Sequence, residues 1–334
     1  MAQNQILDQA DSAPDLSSQE KTILARFSRL WGFQPQKLIW KSTYHDQKKL
    51  PAFSYLGLYQ GQKTVLKIQG PAMNIDEDIL INRFNQYNQS QIFRLPPLLK
   101  TQKRSPQYPY DAYLSRYIIG TPLIHSGHPN SPSTLNKFFD LYQDYRKNCC
   151  SSPFVPLPPE TSAQYILKKH SQLYKRLETT IKKHPLHQKS DLALSHALEA
   201  QVKKHLSTTP LVFCHAHLAA SDLLQKGPHV YLFSNIYWGW RHPYADAVFA
   251  FHWSLLNMQW LDDLTPSKVQ KEIDRWHQIT IQKLGNSPHL SLAFLERSIA
   301  ALLFDLLFLN PLRPQGKMIL HALRLQASDL MKNL

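Results

Sequence analysis

Glycine and cysteine are both scarce in this chain of 334 residues, which has 10 glycines and three cysteines. So few glycines exclude collagen-like repeats and glycine-rich solenoids. Three cysteines cannot form a disulfide framework in a chain of this length, and the adjacent Cys149 and Cys150 do not have metal-ligand spacing with Cys214. The cysteine content therefore predicts a reducing compartment.

Long apolar runs are also missing. The most apolar stretch, residues 299–309, is interrupted by Asp305 and is too short to cross a bilayer. The first 20 residues are polar and acidic, without the basic end and apolar run of a signal peptide. We therefore expect a cytoplasmic protein with no transmembrane segment.

Acidic residues are few: 24 Asp and Glu stand against 38 Lys and Arg, which gives a formal charge of +14. This excess favours acidic partners, but it does not choose between phosphate ligands, nucleic acid and a membrane surface. Several basic residues have helical spacing and would form one basic face: Lys168, Lys169, Lys175, Arg176, Lys182 and Lys183. Such a face is either simply solvated or a contact surface for polyanions such as nucleic acid or anionic lipid.

The pattern of apolar residues changes once along the chain. Residues 1–20 are predicted to be a polar lead-in, although a short helix is expected to begin at Ser18. Residues 21–119 then predict a small lobe: a three-strand antiparallel meander within 37–69, a helix at 76–87, and two strands near 98–103 and 111–119. The sequence Gly-Thr-Pro at 120–122 predicts a hinge.

Residues 120–334 are predicted to form a larger, mostly helical lobe. Helices are expected at 132–148, 161–184, 190–206, 244–258, 266–284, 290–309 and 316–332. Two short strands, at 211–214 and 230–233, lie between them. The segment 290–309 is apolar nearly all round, which predicts a buried helix. The predicted fold class is α+β, with a small antiparallel-sheet lobe and a large helical lobe.

Three positions in this pattern carry residues suited to chemistry. Lys67, near the end of a predicted strand, is either a phosphate partner or a solvent-facing charge on an edge strand. The loop after 211–214 contains His215 and His217, which are either metal ligands of a hydrolase or one buried and one exposed histidine. The loop after 230–233 runs from Ser234 to Asp246, which falls in the first turn of the next helix, where a carboxylate is favourable.

In this order and at this spacing, the motifs resemble those of the aminoglycoside phosphotransferase and choline kinase family, which has the protein-kinase-like fold. The matching pieces are the strand 64–68 with Lys67, the segment YLSRYIIGTPL at 113–123, the loop at His215, and the stretch 232–246. The last is similar to the family pattern LIDWEYAGWGHPxxD. The resemblance covers about residues 20–330 and implies ATP and Mg²⁺ as cofactors.

The same resemblance implies roles for individual residues. Lys67 would contact the nucleotide, with Glu77 or Asp78 as its acidic partner, and His215 would be a buried structural residue. The family loop reads H-G-D-x-x-x-x-N, in which the Asp accepts the substrate proton and the Asn binds Mg²⁺. Here Ala216 stands for the Gly, His217 for the Asp and Asp222 for the Asn, whereas Ser234 replaces the second metal-binding Asp.

These replacements determine the expected function. Phosphoryl transfer depends mostly on positioning and on charge neutralisation by metal and cations, and Ser is a weak, neutral ligand for Mg²⁺. We therefore expect a degenerate family member, a pseudoenzyme with weak or no nucleotide binding. Two alternatives stay open: an active ATP-dependent small-molecule phosphotransferase that uses His217 as its base, and a polyanion-binding module on the same scaffold.

Overall fold

The computed structural model describes residues 15–41, 52–70, 75–150, 181–205 and 210–332, together with residues 164, 165, 167, 168, 171 and 174. Most of the predicted lead-in and most of the predicted helix 161–184 lie outside these ranges. Of the six basic residues predicted to form one face, Lys169, Lys175 and Arg176 are outside the described residues as well.

The chain divides into two compact units made of interleaved segments. The first unit contains Met1–Tyr87, Phe93–Thr121 and Leu224–Tyr237, and the second contains Asn88–Ile92, Pro122–Leu223 and Trp238–Leu334. The sequence pattern assigns all of 120–334 to one lobe, whereas this division groups residues 224–237 with the first unit.

Strands dominate the first unit, and two helices accompany them. Its elements are α1 (Ser18–Trp31), β1 (Gln34–Lys41), β2 (Phe53–Tyr59), β3 (Gln62–Gln69), α2 (Glu77–Tyr87), β4 (Phe93–Arg94), β5 (Leu98–Gln102) and β6 (Asp111–Arg116). Five strands form an antiparallel sheet in the order β1-β2-β3-β6-β5. The first three are the predicted meander.

The core of the first unit lies between α1 and this sheet. A capping box between Ser17 and Glu20 begins α1, and its apolar face, including Phe27, packs against Leu66 and Ile68 of β3. Side chains alternate between the two faces of a strand. Lys67 therefore projects from the opposite face of β3, away from the apolar core.

A second, four-stranded sheet has the order β4-β10-β9-β7 and includes β7 (Thr121–Pro122), β9 (Leu223–Lys226) and β10 (His229–Leu232). In it β10 pairs with β4 in parallel, and Val230 lies opposite Phe93. Gly120, in the predicted hinge, comes so close to the backbone of Gln225 that a Cβ atom would lie 2.6 Å from the Gln225 carbonyl oxygen. Position 120 therefore needs a glycine, because any side chain would collide with the Gln225 backbone.

The second unit is mainly helical. Its elements are α3 (Pro132–Asn148), α4 (Lys189–His205), β8 (Val212–Cys214), β11 (Gly239–Arg241), α5 (Ala245–Asn257), α6 (Pro266–Leu284), α7 (Pro288–Leu303) and α8 (Pro314–Lys332). β8 and β11 form a two-stranded antiparallel ladder. The buried Trp276 of α6 contacts the rings of Phe138, Phe139 and Phe251, which ties α3, α5 and α6 into one core. No helix within the described ranges is long and apolar enough to span a membrane.

The prediction of one continuous helix over 290–309 is wrong at the C-terminal end of that segment. α7 stops at Leu303, Phe304 leaves the helical backbone region (φ −140°, ψ −50°), and a short 3₁₀ helix follows at Asp305–Phe308. In an unbroken helix, Asp305 would lie about 12 Å along the axis from Arg297. The break brings the Asp305 carboxylate to the Arg297 guanidinium, with which it forms a buried ion pair.

Candidate functional site

In the first unit, Lys67 is held by a buried carboxylate. Its Nζ lies 2.8 Å from Glu77 Oε2 and 3.1 Å from Glu77 Oε1, and the Gln69 side-chain amide also donates to Oε2 at 2.8 Å. Glu77 lies in the first turn of α2. Asp78, the other candidate partner, instead pairs with Lys103. The geometry therefore selects Glu77 as the partner of Lys67.

Tyr113 lies beside this pair, opposite Lys67 in the sheet. Burial, and then the negative charges of Asp111 and Glu77, raise the pKa of Tyr113 far above its usual range. Its phenol thus stays protonated at physiological pH and adds no negative charge near Lys67.

Ser234 follows β10 and has a left-handed backbone conformation, with φ at +55°. A short 3₁₀ turn at Asn235–Tyr237 begins after it; the Tyr237 amide donates to the Ser234 carbonyl at 3.3 Å, and the turn packs against α2. The resemblance assigns this position to a metal-binding carboxylate, and the residue present is a serine with a neutral hydroxyl.

In the second unit, His215 belongs to a buried hydrogen-bond chain. The Tyr145 hydroxyl accepts from the His215 backbone amide at 2.7 Å and donates to Asp246 Oδ2 at 2.8 Å. Burial raises the pKa of Asp246, while His215 and the hydrogen bonds from Tyr145, Cys214 and the Ala216 amide oppose that rise. The His215 side chain is completely buried and packs against Trp238. This environment is that of a residue that braces the loop.

His217 and Asp222 are joined directly. His217 Nδ1 lies 2.8 Å from Asp222 Oδ2, and the Ala219 amide donates to the same oxygen at 3.3 Å. Asp222, in a 3₁₀ turn at Ala220–Asp222, is almost fully buried, whereas about a quarter of the His217 side chain is exposed.

Mg²⁺ does not fit these residues. It prefers carboxylate and water oxygens in an open, nearly octahedral arrangement. Here the Asp222 carboxylate is buried against an imidazole, and Ser234 is neutral. Across the described ranges there is also no group of three or more His, Cys, Asp or Glu side chains placed to hold a metal ion.

The cysteines near the loop are poorly suited to nucleophilic chemistry. Cys150 and Cys214 both line a cavity of about 240 Å³ next to Asp246. Burial, followed by the charge of Asp246, raises the pKa of each thiol. Because the thiolate is the reactive form, the raised pKa values disfavour nucleophilic chemistry at both thiols.

The surroundings of His217 were not predicted from the sequence. Its ring packs against Phe249, with centroids 4.5 Å apart, and against Trp253 at 5.8 Å. Both aromatic residues lie on α5, four residues apart and hence on the same face of the helix. The i, i+4 spacing of Phe249 and Trp253 is the only sequence signal for this aromatic face, and it does not distinguish the face from that of an ordinary buried helix.

The predicted site residues form two pairs, one within each unit. The structure groups Lys67 with Glu77 in the first unit and His217 with Asp222 in the second. Among the six basic residues, Lys168, Lys182 and Lys183 are described and exposed. Contact of these residues with polyanions stays a prediction.

No protein-family model and no curated protein sequence matches the chain. Solved structures do match it. They include a microcompartment-associated aminopropanol kinase, with 10% identity, a TM-score of 0.56, and 93% of this chain and 97% of that one covered. A choline/ethanolamine kinase family protein from Mesorhizobium loti has 13% identity, a TM-score of 0.52 and coverage of 93% and 94%. An aminoglycoside-3'-phosphotransferase of type VIII has 10% identity, a TM-score of 0.51 and coverage of 84% and 98%.

The fold is protein-kinase-like. This confirms the predicted α+β fold class, with a sheet-rich N-terminal region and a helical C-terminal region. At these identities the similarity shows the scaffold, so activity has to be argued from the residues themselves.

Proposed function

We propose that this protein is a degenerate member of the aminoglycoside phosphotransferase and choline kinase family, a pseudoenzyme that binds nucleotide weakly and without Mg²⁺. The observation that carries the proposal is the burial of Asp222 against His217 Nδ1 at 2.8 Å. This contact uses the carboxylate at the family's metal-binding position to orient a histidine.

The residues that would hold a nucleotide are better preserved than those that would hold its metal. Lys67, kept in place by Glu77, offers an ammonium group with about a fifth of its side chain exposed. An ammonium in this position would pair with a phosphate group. The sequence between β1 and β2, residues 42–52, contains no glycine. Glycines let a backbone approach phosphates closely, so their lack in this segment supports weak binding.

A chain that does not hold Mg²⁺ lacks the main source of charge neutralisation for phosphoryl transfer. ATP supplies the phosphoryl group in the family reaction, and Lys67 would bind one of its phosphates. Loss of a metal-binding carboxylate removes several kcal/mol of transition-state stabilisation, and each 1.36 kcal/mol is about tenfold in rate. Transfer above background is therefore not expected.

Calorimetric titration with ATP tests the proposal, with Mg²⁺ present and then with EDTA. We expect weak binding that is the same in both conditions, is lost in Lys67→Met and is retained in Lys63→Met, which alters an exposed lysine on the same strand. A strong increase in affinity with Mg²⁺ would contradict the proposal.

A transfer assay with labelled ATP and small alcohols completes the test. The wild-type protein should show no Mg²⁺-dependent transfer. Because metal ligation and base function act as one unit, the combined His217→Asp, Asp222→Asn and Ser234→Asp variant should be needed before transfer begins.

The same dyad supports a second candidate function, an active phosphotransferase that uses His217 as its base. An imidazole whose Nδ1 faces Asp222 at 2.8 Å is oriented for proton transfer at its other nitrogen. This candidate predicts turnover that is abolished by His217→Ala and reduced by Asp222→Asn. Turnover in the wild-type protein would therefore place it ahead of the pseudoenzyme.

A further inference from the structure

Beside His217 lies a continuous set of aromatic side chains, which we call the aromatic wall: Phe249, Trp253, Phe304 and Phe308. The rings of Phe249 and Trp253 are stacked, with centroids 5.7 Å apart and an interplanar angle of 14°. Phe308 meets Trp253 edge-on at 4.9 Å, and Phe304 meets Phe308 edge-on at 5.5 Å. Aromatic rings from α5 and from the segment after α7 are thus joined into one surface.

The aromatic wall is not sealed in the core. Phe249 is buried, but Trp253, Phe304 and Phe308 are each only half-buried. Large aromatic side chains dominate binding energy when a ligand covers them, so a half-exposed set next to a polar dyad has the composition of a ligand site.

The charges around the aromatic wall restrict the ligand. Arg297 lies over the Phe249 ring, 4.6 Å from its centroid, and pairs with the buried Asp305. Asp222 is already bound to His217. A cation would gain from an aromatic face or from an unpaired carboxylate, but here a guanidinium covers the buried ring and both carboxylates have partners. A neutral aromatic ring needs neither an unpaired carboxylate nor an uncovered Phe249 face, so it fits this surface better than a cation does.

We propose that the aromatic wall binds the ring of a neutral aromatic small molecule whose hydroxyl group contacts His217. The proposal rests on the proposed function, because it makes this surface the acceptor side of a phosphotransferase scaffold, and a pseudoenzyme would keep the binding without the transfer. His217, with about a quarter of its side chain exposed and its ring against Phe249 and Trp253, is the polar group that would meet the hydroxyl.

Three matched probes test this chemistry: benzyl alcohol, benzylammonium and cyclohexylmethanol. Their binding is measured by saturation-transfer NMR and by titration of tryptophan fluorescence, with neither nucleotide nor metal present. We expect benzyl alcohol to bind most tightly, since benzylammonium adds a charge and cyclohexylmethanol loses the aromatic face. Because this assay needs no turnover, its failure would leave the pseudoenzyme proposal standing, and turnover in the wild-type protein would leave the binding result standing.

Three variants locate the site. Trp253→Leu should weaken benzyl alcohol binding by roughly tenfold, in line with the loss of one stacked contact. Trp260→Leu is the matched control, since Trp260 is also a half-buried tryptophan in the second unit but lies outside the aromatic wall. Phe308→Leu provides a second disruption of the wall if Trp253→Leu fails to fold, as judged by circular dichroism.

Several outcomes would overturn the inference. Tighter binding of benzylammonium would show that the surface selects cations, and equal binding of cyclohexylmethanol would show that aromaticity is not recognised. Undetectable binding of benzyl alcohol to the folded wild-type protein, or equal losses in Trp253→Leu and Trp260→Leu, would remove the aromatic wall as the site.

Discussion

The imidazole of His217 is hydrogen-bonded to the Asp222 carboxylate: Nδ1 and Oδ2 lie 2.8 Å apart, and Asp222 is only 3% exposed. The two residues that the resemblance assigns to the base and to a metal ligand are therefore in direct contact with each other. Removing either side chain would leave the other without this contact.

Removal of the Asp222 carboxylate should destabilise the fold. In Asp222→Ala, the Ala219 amide and the His217 ring lose their common acceptor, so the free energy of unfolding should fall by about 2 kcal/mol or more. Urea denaturation measures this change. Asp140→Ala, which removes an exposed carboxylate paired with Lys283, is the control and should have a much smaller effect. Equal stability of Asp222→Ala and the wild-type protein would mean that the carboxylate is available for a metal.

The Lys67–Glu77 pair should show strong energetic coupling. Glu77 is 6% exposed and Lys67 21%, so either single substitution leaves a poorly solvated charge. In a double-mutant cycle of Lys67→Met and Glu77→Gln, we expect a coupling energy of about 1–3 kcal/mol. The matched control is the exposed Lys332–Asp329 pair, whose coupling should be below about 1 kcal/mol. Similar coupling in both pairs would contradict the burial of Glu77.

Glycine should be better than alanine at position 216. Ala216 has φ at +62°, a left-handed conformation that costs an L-residue about 1–2 kcal/mol. Glycine removes that cost but adds unfolded-chain entropy, so Ala216→Gly should stabilise the protein by about 0.5–1 kcal/mol, measured by thermal unfolding. The same substitution at the exposed helical residue Ala200 should instead cost about 1 kcal/mol. Destabilisation by Ala216→Gly would count against the loop conformation.

His252 should make stability depend on pH. Its ring is fully buried, and neither ring nitrogen has a hydrogen-bond partner among the described residues. Burial, and then the Arg297 charge, lower the pKa of His252 well below its usual value of 6.5. The unfolded chain therefore binds a proton near pH 6.5 that the folded chain does not bind, and stability is lost as the pH falls below about 6.5.

His252→Leu tests this dependence. The variant should lose a slope of up to about 1.4 kcal/mol per pH unit below pH 6.5, and it should be at least as stable as the wild-type protein at pH 8. Denaturant unfolding between pH 5 and 8 provides the measurement. His196→Leu, at an exposed histidine, should keep the wild-type slope; an unchanged slope in His252→Leu would show that the buried ring does not titrate as argued.

Helices with local start signals could be predicted from the sequence. A serine or threonine cap followed by proline begins α3 at Ser131, α6 at Thr265 and α7 at Ser287, and α1 begins with a capping box at Ser17. Because these signals lie within one turn of the helix they start, no knowledge of the tertiary structure is needed. The predicted helices at 132–148 and 266–284 therefore coincide with α3 and α6.

Features that depend on distant partners could not be predicted. β4 is two residues long and pairs with β10, and β11 pairs with β8, so the short segments alone carry little signal. The end of α7 accompanies a buried ion pair between Arg297 and Asp305, which the helical pattern of 290–309 does not indicate. At the site, the sequence leaves Glu77 and Asp78 as alternative partners of Lys67, and only the tertiary packing distinguishes between them.

The interleaving of the two units has a consequence for synthesis on the ribosome. Strand β4 belongs to the first unit, but Val230, which pairs with Phe93, is translated more than a hundred residues later. At typical elongation rates of 5–20 residues per second, that delay is roughly 10 s. The first unit therefore cannot complete its second sheet as an N-terminal domain that folds on emergence, and the nascent chain has to keep the β4 edge unpaired while most of the helices of the second unit are still unmade.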